Sequence, residues 1–141
     1  MKNCYIFILL FYCLVLISCQ NKTVQLLKKK WDCVKVDNIV PPGTRFLSAE
    51  DSSNAIQLQS LLQSLSWTFK DNFQYTCSVG NKITVEGSYQ LTGNDDKILV
   101  LTSHSGNSIN RYTITTLTES ELTLNGNAEN TNLVLHFKPN L

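Results

Sequence analysis

The segment WTFKDNFQYTCSVGNKITVEGSYQL, residues 67–91, decides the fold of this chain. Apolar or aromatic side chains recur at every second position on both sides of the turn sequences Asp71-Asn72 and Gly80-Asn81. A period of two is typical of antiparallel strands that bury one face. The side chains predicted to share the buried face at the start of the segment are Trp67, Phe69, Phe73, Tyr75 and Cys77. The segment therefore predicts two consecutive hairpins.

The same alternation continues on both sides of this segment. Residues 31–36 form a first strand by this pattern, and further strands are predicted near residues 97–103, 109–117, 121–125 and 132–138. The short connections between most strands favour hairpins over parallel crossovers. Seven or eight consecutive antiparallel strands remove their exposed edges by closing on themselves. The sequence therefore predicts an all-β fold, an antiparallel up-and-down β-barrel.

One stretch between the first strand and residue 67 has a helical period. Pro41-Pro42-Gly43 ends the strand, and apolar residues then recur at three- and four-residue spacing from Ala55 to Leu65. We expect one short helix over residues 53–65, with Ser52 or Ser53 as its N-cap. This helix either covers a ligand cavity as a lid or plugs one end of the sheet.

Residues 1–18 have the features of a secretory signal. Lys2 is followed by an apolar run from Tyr5 to Ile17 and by the small residue Ser18. The run is shorter than the roughly twenty residues that span a bilayer. Residues 16–19, Leu-Ile-Ser-Cys, resemble the bacterial lipobox, which implies acylation of Cys19 and a membrane anchor. The alternative is an ordinary secreted protein cut near Ser18.

These features divide the chain into three regions. Residues 1–18 are the predicted lipoprotein signal peptide, residues 19–30 a lipidated tether, and residues 31–141 the barrel domain. The tether ends in three lysines, residues 28–30, which either contact anionic head groups or form a solvated linker. No sequence resembling a retention or surface-export signal follows Cys19. We therefore expect a bacterial envelope protein on the outer membrane, facing the periplasm.

The charge of the chain excludes one class of partner. Charged residues make up 16% of the chain, against roughly 25% in typical soluble domains. Lys2 is the only charged residue among residues 1–18, so the remainder has eleven basic and eleven acidic side chains. A neutral chain has no basic field for nucleic acid, and no nucleic-acid partner is expected.

Few residues outside the leader point to chemistry. Cys33 and Cys77 either pair as a disulfide in an oxidising periplasm or remain two separate buried thiols, with a reactive or metal-binding role as a third alternative. His104 and His136 have no ligand cluster around them, and no metal or cofactor is expected. Ser105 beside His104 lacks a nucleophile elbow. We therefore expect no enzymatic activity.

A set of short motifs along the chain resembles the lipocalin-like lipoproteins of Bacteroidetes-type bacteria. The motifs are Trp67-x-Phe69-Lys70-Asp71-Asn72-x-x-Tyr75, Gly87-x-Tyr89-x-Leu91, Lys97-Ile98-x-Val100, Tyr112-x-Ile114-x-x-Leu117-Thr118-x-x-Glu121-Leu122-x-Leu124 and His136-Phe137-Lys138, together with Trp31. The resemblance implies a calycin-type barrel on a lipid tether, with a role generally assumed to be binding of a small or apolar molecule. It also makes Lys138 the candidate cation over Trp31.

Two departures from this family pattern are visible. Lys29 occupies the glycine position of the Gly-x-Trp signature of true lipocalins, and residues 38–65 form a helix-containing insertion where a shorter connection is usual.

The expected function follows from these features. We expect a lipid-anchored barrel that binds a small apolar or amphipathic ligand. The residues that either line the interior as ligand contacts or form its core are Trp67, Phe69, Phe73, Tyr75, Tyr89 and Tyr112. The alternative is a protein–protein interaction barrel, because residues 75–80, residues 103–106 and Tyr112 are faintly similar to membrane-bound inhibitors of c-type lysozyme, or a structural envelope lipoprotein.

Overall fold

Eight antiparallel strands close into a barrel in the computed structural model, which describes residues 22–39, 48–106, 108–128 and 131–140. The strands are β1 (Lys30–Asp37), β2 (Leu65–Phe69), β3 (Gln74–Val79), β4 (Lys82–Thr92), β5 (Ile98–Ser103), β6 (Ile109–Leu117), β7 (Leu122–Ala128) and β8 (Thr131–Pro139). Each strand pairs with the next along the chain, and β8 pairs with β1. The predicted all-β up-and-down barrel is confirmed, with eight strands.

The hairpin connections give the barrel two different ends. The closed end holds the turns after β2, β4 and β6, and a short helix α1 (Lys22–Leu27) precedes β1 at this end. The mouth holds the turns after β3 and β5, and β1 also ends there. The long connection from β1 to β2, with helix α2 (Ala49–Gln63), therefore belongs to the mouth. Neither helix is long and apolar enough to cross a membrane.

Helix α1 lies in the region that the sequence assigns to a tether. Its last residue, Leu27, is fully buried and belongs to the core of the barrel. The Leu27 carbonyl accepts a hydrogen bond of 2.9 Å from Nε1 of Trp31, the first buried residue of β1. The described part of the tether, residues 22–30, is therefore packed on the barrel. Residues 1–18, Cys19 and Pro41-Pro42-Gly43 lie outside the described residues.

Helix α2 begins four residues earlier than the predicted start at residue 53. Ser48 is its N-cap, and the Ser48 hydroxyl accepts a hydrogen bond of 3.1 Å from the Asp51 backbone N–H. No residue of α2 is buried, although Leu62 packs against the core. Ile56, Leu58 and Leu61 are 65%, 45% and 50% exposed, so the helix buries little of its apolar surface. The helix is therefore not the plug that one interpretation predicted.

The barrel core is built from alternate residues of every strand. Register places the inward side chains of neighbouring strands opposite one another, such as Trp31 with Trp67 and Leu124 with Leu135. The largest fully buried side chains are Trp31, Tyr89, Phe137, Leu27, Leu99, Leu122, Leu124 and Leu135. Tyr89 is one of the residues predicted to face the interior, so the period of two identified the buried side of β4 as it did for Trp67 and Phe69 on β2.

Candidate functional site

The interior near the closed end is filled by paired side chains. The Tyr89 hydroxyl donates a hydrogen bond of 3.1 Å to the Lys70 carbonyl in the β2–β3 turn. The Phe69 and Tyr89 rings meet edge to face with centroids 5.2 Å apart. Trp31 donates to the Leu27 carbonyl beneath them. Because these polar atoms are satisfied and the rings are in contact, this half of the barrel is structural core.

A lysine covers Trp31, but it is Lys29 and not the predicted Lys138. Lys29 Nζ lies 5.3 Å from the centroid of the Trp31 ring and also forms an ion pair of 2.9 Å with Glu119. Lys138 is exposed and lies beside Phe137, which faces the interior, so its side chain is on the outer face. The residue at the missing glycine of the family signature therefore supplies the cation–π contact, of about 0.5–1 kcal/mol at an exposed site.

The three lysines of residues 28–30 all have acidic partners within the fold. The ion pairs are Lys28 with Asp71, Lys29 with Glu119 and Lys30 with Asp32. The solvated-linker alternative is therefore wrong for these residues, while head-group contact stays a prediction. Exposed pairs of this kind contribute about 0–1 kcal/mol each, so their main consequence is a closed end without a free basic patch at this triplet.

Aromatic rings meet across the interior nearer the mouth. The Trp67 ring lies 5.3 Å from that of Tyr112 and 5.2 Å from that of Phe137, measured between centroids. Tyr112 fits because it lies over Gly126 on the neighbouring strand, where an added Cβ would come within 2.9 Å of the ring. Gly126 is not among the site residues predicted from the sequence. A glycine opposite an aromatic residue on a paired strand is the signal that identifies it.

Part of the interior surface at the mouth is apolar, beside the inward-facing polar residues Lys82, Ser103 and Asn110. Val85 lies opposite Cys77, on the inward face of β4, and is 37% exposed. Leu65, Cys77 and Leu133 also face the interior and are only partly buried. Val85, Leu65 and Leu133 were not among the side chains predicted to line the interior. The alternating pattern of a strand does not show which of its valines or leucines lie near an open end of the barrel.

Phe73 was one of six aromatic residues predicted to line the interior, and this prediction is wrong. It is 50% exposed and adopts a left-handed backbone conformation with φ of 58°. The turn between β2 and β3 extends to Phe73, and β3 begins only at Gln74. The alternation of the strand therefore does not include Phe73. Trp67, Phe69, Tyr75, Tyr89 and Tyr112 do face the interior.

Cys33 and Cys77 are free thiols, which corrects the alternative in which they form a disulfide. They lie on β1 and β3, with β2 between them. Neighbouring strands are about 4.8 Å apart, so these cysteines are separated by about twice that distance, whereas disulfide-bonded Cα atoms lie within about 7 Å. Burial raises the pKa of the Cys33 thiol to about 11. Both side chains face the interior. The structure therefore agrees with the alternative of two separate thiols.

Alkaline pH is expected to lower the free energy of unfolding. Burial raises the pKa of Cys33 from 9.0 to about 11 and that of Tyr112 from 10.0 to about 12. Between about pH 9 and pH 12 the unfolded chain therefore binds fewer protons than the folded chain, and stability falls as pH rises. Urea denaturation at a series of pH values measures this. The Tyr112→Phe variant should show a shallower decline above pH 10, because Cys33, Tyr75 and Tyr89, whose pKa values are also raised by burial, still contribute, and an unchanged decline would contradict the assignment.

The two histidines lie on the outer face of the barrel or in a turn. His136 Nε2 lies 3.0 Å from Asp37 Oδ2, and His104 Nε2 lies 2.7 Å from Gln74 Oε1. A hydrogen bond from Lys35 is the largest effect that lowers the pKa of Asp37. Within the described ranges, no three His, Cys, Asp or Glu side chains are grouped as metal ligands.

The fold and its interior define a class of protein. The interior of a closed eight-stranded up-and-down barrel is either filled by side chains or just large enough for one small ligand, and in this barrel the closed end is filled. The family model described as a lipocalin-like domain matches residues 27–124. The chain therefore belongs to the lipocalin-like domain family.

Solved structures with the same fold come from Bacteroides. A lipocalin-like protein from Bacteroides uniformis has a TM-score of 0.51 and 15% sequence identity, over 82% of this chain and 99% of that one. A DUF4847 family protein from Bacteroides vulgatus has a TM-score of 0.50 and 14% identity, over 82% of this chain and 94% of that one. No curated protein matches the chain. At this identity the likeness concerns the fold.

Proposed function

We propose that this protein binds a small apolar or amphipathic molecule in the mouth half of its barrel. The observation that carries the proposal is the solvent-exposed, inward-facing side chain of Val85 opposite Cys77, on an interior where Leu65 and Leu133 are also only partly buried. An apolar surface inside a concave site gains by being covered, at about 25 cal/mol per Å² of area removed from water. Binding of this kind needs no reaction step, and we propose that the protein is not an enzyme.

A charge placed at the mouth should weaken binding. In Val85→Asp a carboxylate replaces an apolar side chain on the inward face of β4, and an apolar ligand must then desolvate it. We expect the affinity for the uncharged fluorescent probe N-phenylnaphthylamine to fall about tenfold, which corresponds to about 1.4 kcal/mol. The measurement is a titration followed by probe fluorescence.

The matched control is Ile109→Asp. Ile109 is 56% exposed and lies opposite Thr102, on the outer face of the barrel. This variant introduces the same charge on a strand near the mouth without entering the interior, so its affinity for the probe should equal that of the wild type. Equal loss in both variants, or no probe binding by the wild type, would contradict a binding site in the mouth.

We also propose that acyl chains on Cys19 anchor the protein to the outer membrane, facing the periplasm. The leader and the lipobox-like residues 16–19 support this anchor. Only two residues separate Cys19 from helix α1 at the closed end. At about 3.5 Å per residue, a chain this short reaches about 10 Å. The anchor would then hold the closed end near the bilayer and leave the mouth directed toward the aqueous compartment.

The Cys19→Ala variant tests the anchor. We expect the wild-type protein to sediment with membranes and to partition into detergent, and the variant to be found in the soluble fraction, because two or three acyl chains are needed for stable attachment. The Cys77→Ala variant is the matched control, since it also removes one thiol but leaves the anchor. If the Cys19→Ala protein stays with membranes, the chain is not a lipoprotein attached at this residue.

A further inference from the structure

Four polar groups lie together in the interior next to the mouth. Trp67 lies directly opposite Cys77 on the β2–β3 ladder, and its ring contacts that of Tyr112. Tyr75 and Cys77 both lie close enough to the Tyr112 hydroxyl to influence its ionisation electrostatically. Two glycines, Gly87 under Tyr75 and Gly126 under Tyr112, leave the space that these rings occupy. We name Trp67, Tyr75, Cys77 and Tyr112 the interior donor cluster.

The strongest donor of this cluster lacks a good acceptor. The Trp67 N–H has only the sulfur of Cys77 as a neighbour, which is a weak acceptor, and the two do not reach the geometry of a regular hydrogen bond. Trp67 is 4% exposed, and its Nε1–H is the one buried side-chain N–H or oxygen with no hydrogen-bond partner in the described part of the chain. The Tyr75 and Tyr112 hydroxyls also make no hydrogen bond with any described residue, in contrast to the paired hydroxyl of Tyr89. A buried donor without a partner costs about 1–3 kcal/mol. A ligand atom that accepts a hydrogen bond from Trp67 would recover this free energy.

The neutral state of the donor cluster determines which kind of ligand atom Trp67 can bind. Burial raises the pKa values of Tyr112, Tyr75 and Cys77, so all three remain protonated and neutral near neutral pH. Among the described residues, the only lysine or arginine that register places on the inward face is Lys82, which is exposed at the rim of the mouth. An ionised carboxylate would therefore be buried without a counter-charge, at a cost well above that of a neutral oxygen.

We propose that the ligand carries an uncharged oxygen acceptor, such as an ester, ketone or hydroxyl oxygen, at the end that enters the barrel, and that Trp67 Nε1–H donates to it. The inference rests on the proposed function and adds its specificity. The apolar mouth surface around Val85 covers the rest of the molecule, and the donor cluster orients its polar end. The protein thereby distinguishes neutral amphipathic molecules from fatty-acid anions and from plain hydrocarbons.

The test compares three probes with closely similar apolar chains. Methyl dodecanoate, dodecanoate and dodecane are competed against N-phenylnaphthylamine on the full-length protein. We expect the neutral ester to bind about tenfold more tightly than either the carboxylate or the hydrocarbon, because it alone is both uncharged and an acceptor. If dodecanoate or dodecane binds as tightly as the ester, the donor cluster does not select the ligand, although ligand binding stands. If none of the three displaces the bound probe, the inference fails together with the mouth site.

Variants separate a ligand contact from a packing role. Trp67→Phe keeps an aromatic ring but removes the N–H, and we expect a loss of about fivefold in affinity for methyl dodecanoate with no change for dodecane. Tyr89→Phe is the matched control, because its hydroxyl is already bonded to Lys70 at the closed end. Tyr112→Phe provides a second test should Trp67→Phe fold poorly. Equal losses for ester and hydrocarbon would show that Trp67 only packs and would overturn the proposal.

Discussion

Replacing Gly87 with alanine is expected to lower the free energy of unfolding by about 3 kcal/mol, one of the two largest effects among our predictions. Gly87 lies on the face of β4 that is turned toward the barrel interior, and its partners on the neighbouring strands are Tyr75 on β3 and Ser103 on β5. A Cβ added at Gly87 would collide with the Thr102 carbonyl oxygen and would come within 2.7 Å of Cε1 of the Tyr75 ring. The carbonyl belongs to the neighbouring strand and cannot rotate away, so the barrel backbone must shift, and overpacking of this kind costs about 1–3 kcal/mol or more.

Urea denaturation followed by circular dichroism measures this loss. Ser88→Ala is the matched control, because Ser88 is the next residue on β4 and faces the other side of the sheet, where a change should stay within about 0.5 kcal/mol. A stability of Gly87→Ala equal to that of Ser88→Ala would show that Tyr75 and Thr102 do not approach Gly87 as closely as the structure places them.

The Trp31→Ala variant is expected to lose about 4 kcal/mol of stability. Trp31 is fully buried, donates to the Leu27 carbonyl and lies beneath the Lys29 ammonium. Truncation removes the largest side chain of the closed end and leaves a cavity, which typically costs 3–5 kcal/mol for tryptophan. It also leaves the carbonyl at the end of α1 without the indole donor. Chemical denaturation followed by circular dichroism is suitable, since the variant loses one of two tryptophans.

A comparison of the two tryptophans tests the physical reason. Trp31→Phe removes an N–H bonded to a carbonyl oxygen, whereas Trp67→Phe removes one whose only neighbour is the weakly accepting Cys77 sulfur. We expect Trp31→Phe to cost about 2 kcal/mol and Trp67→Phe to cost less, because only the first leaves an acceptor unsatisfied. If Trp67→Phe is the more damaging variant, the Trp67 N–H has a partner in solution and the description of the donor cluster is wrong.

Most of the barrel could be predicted from local pattern. Alternation around Trp67, Phe69 and Tyr75 identified their inward face, since a strand exposes opposite sides at successive residues. The same reasoning failed at Phe73, because a turn residue with positive φ leaves the strand, and alternation does not reveal where a turn ends. Helix α2 was recognised from its period, but its start at Ala49 depends on the Ser48 cap, a signal outside the apolar pattern.

The candidate site was less accessible to sequence reasoning. That Trp67 meets Tyr112 depends on β2 and β6 facing each other across the closed barrel, a contact between residues 45 positions apart that no local pattern contains. The same holds for Lys29, which is selected over Lys138 by the position of α1 and Glu119 at the closed end.

The sequence by itself determined the strands, their hairpin order and one helix in the first connection, because these depend on side-chain period and turn residues within a few positions. Tertiary structure alone decided which half of the interior is filled, that Cys33 and Cys77 are too far apart to pair, and that the Trp67 N–H has no oxygen acceptor. Closure of the sheet and register between strands set those distances. They are properties of the whole barrel, so no single strand carries them in its sequence.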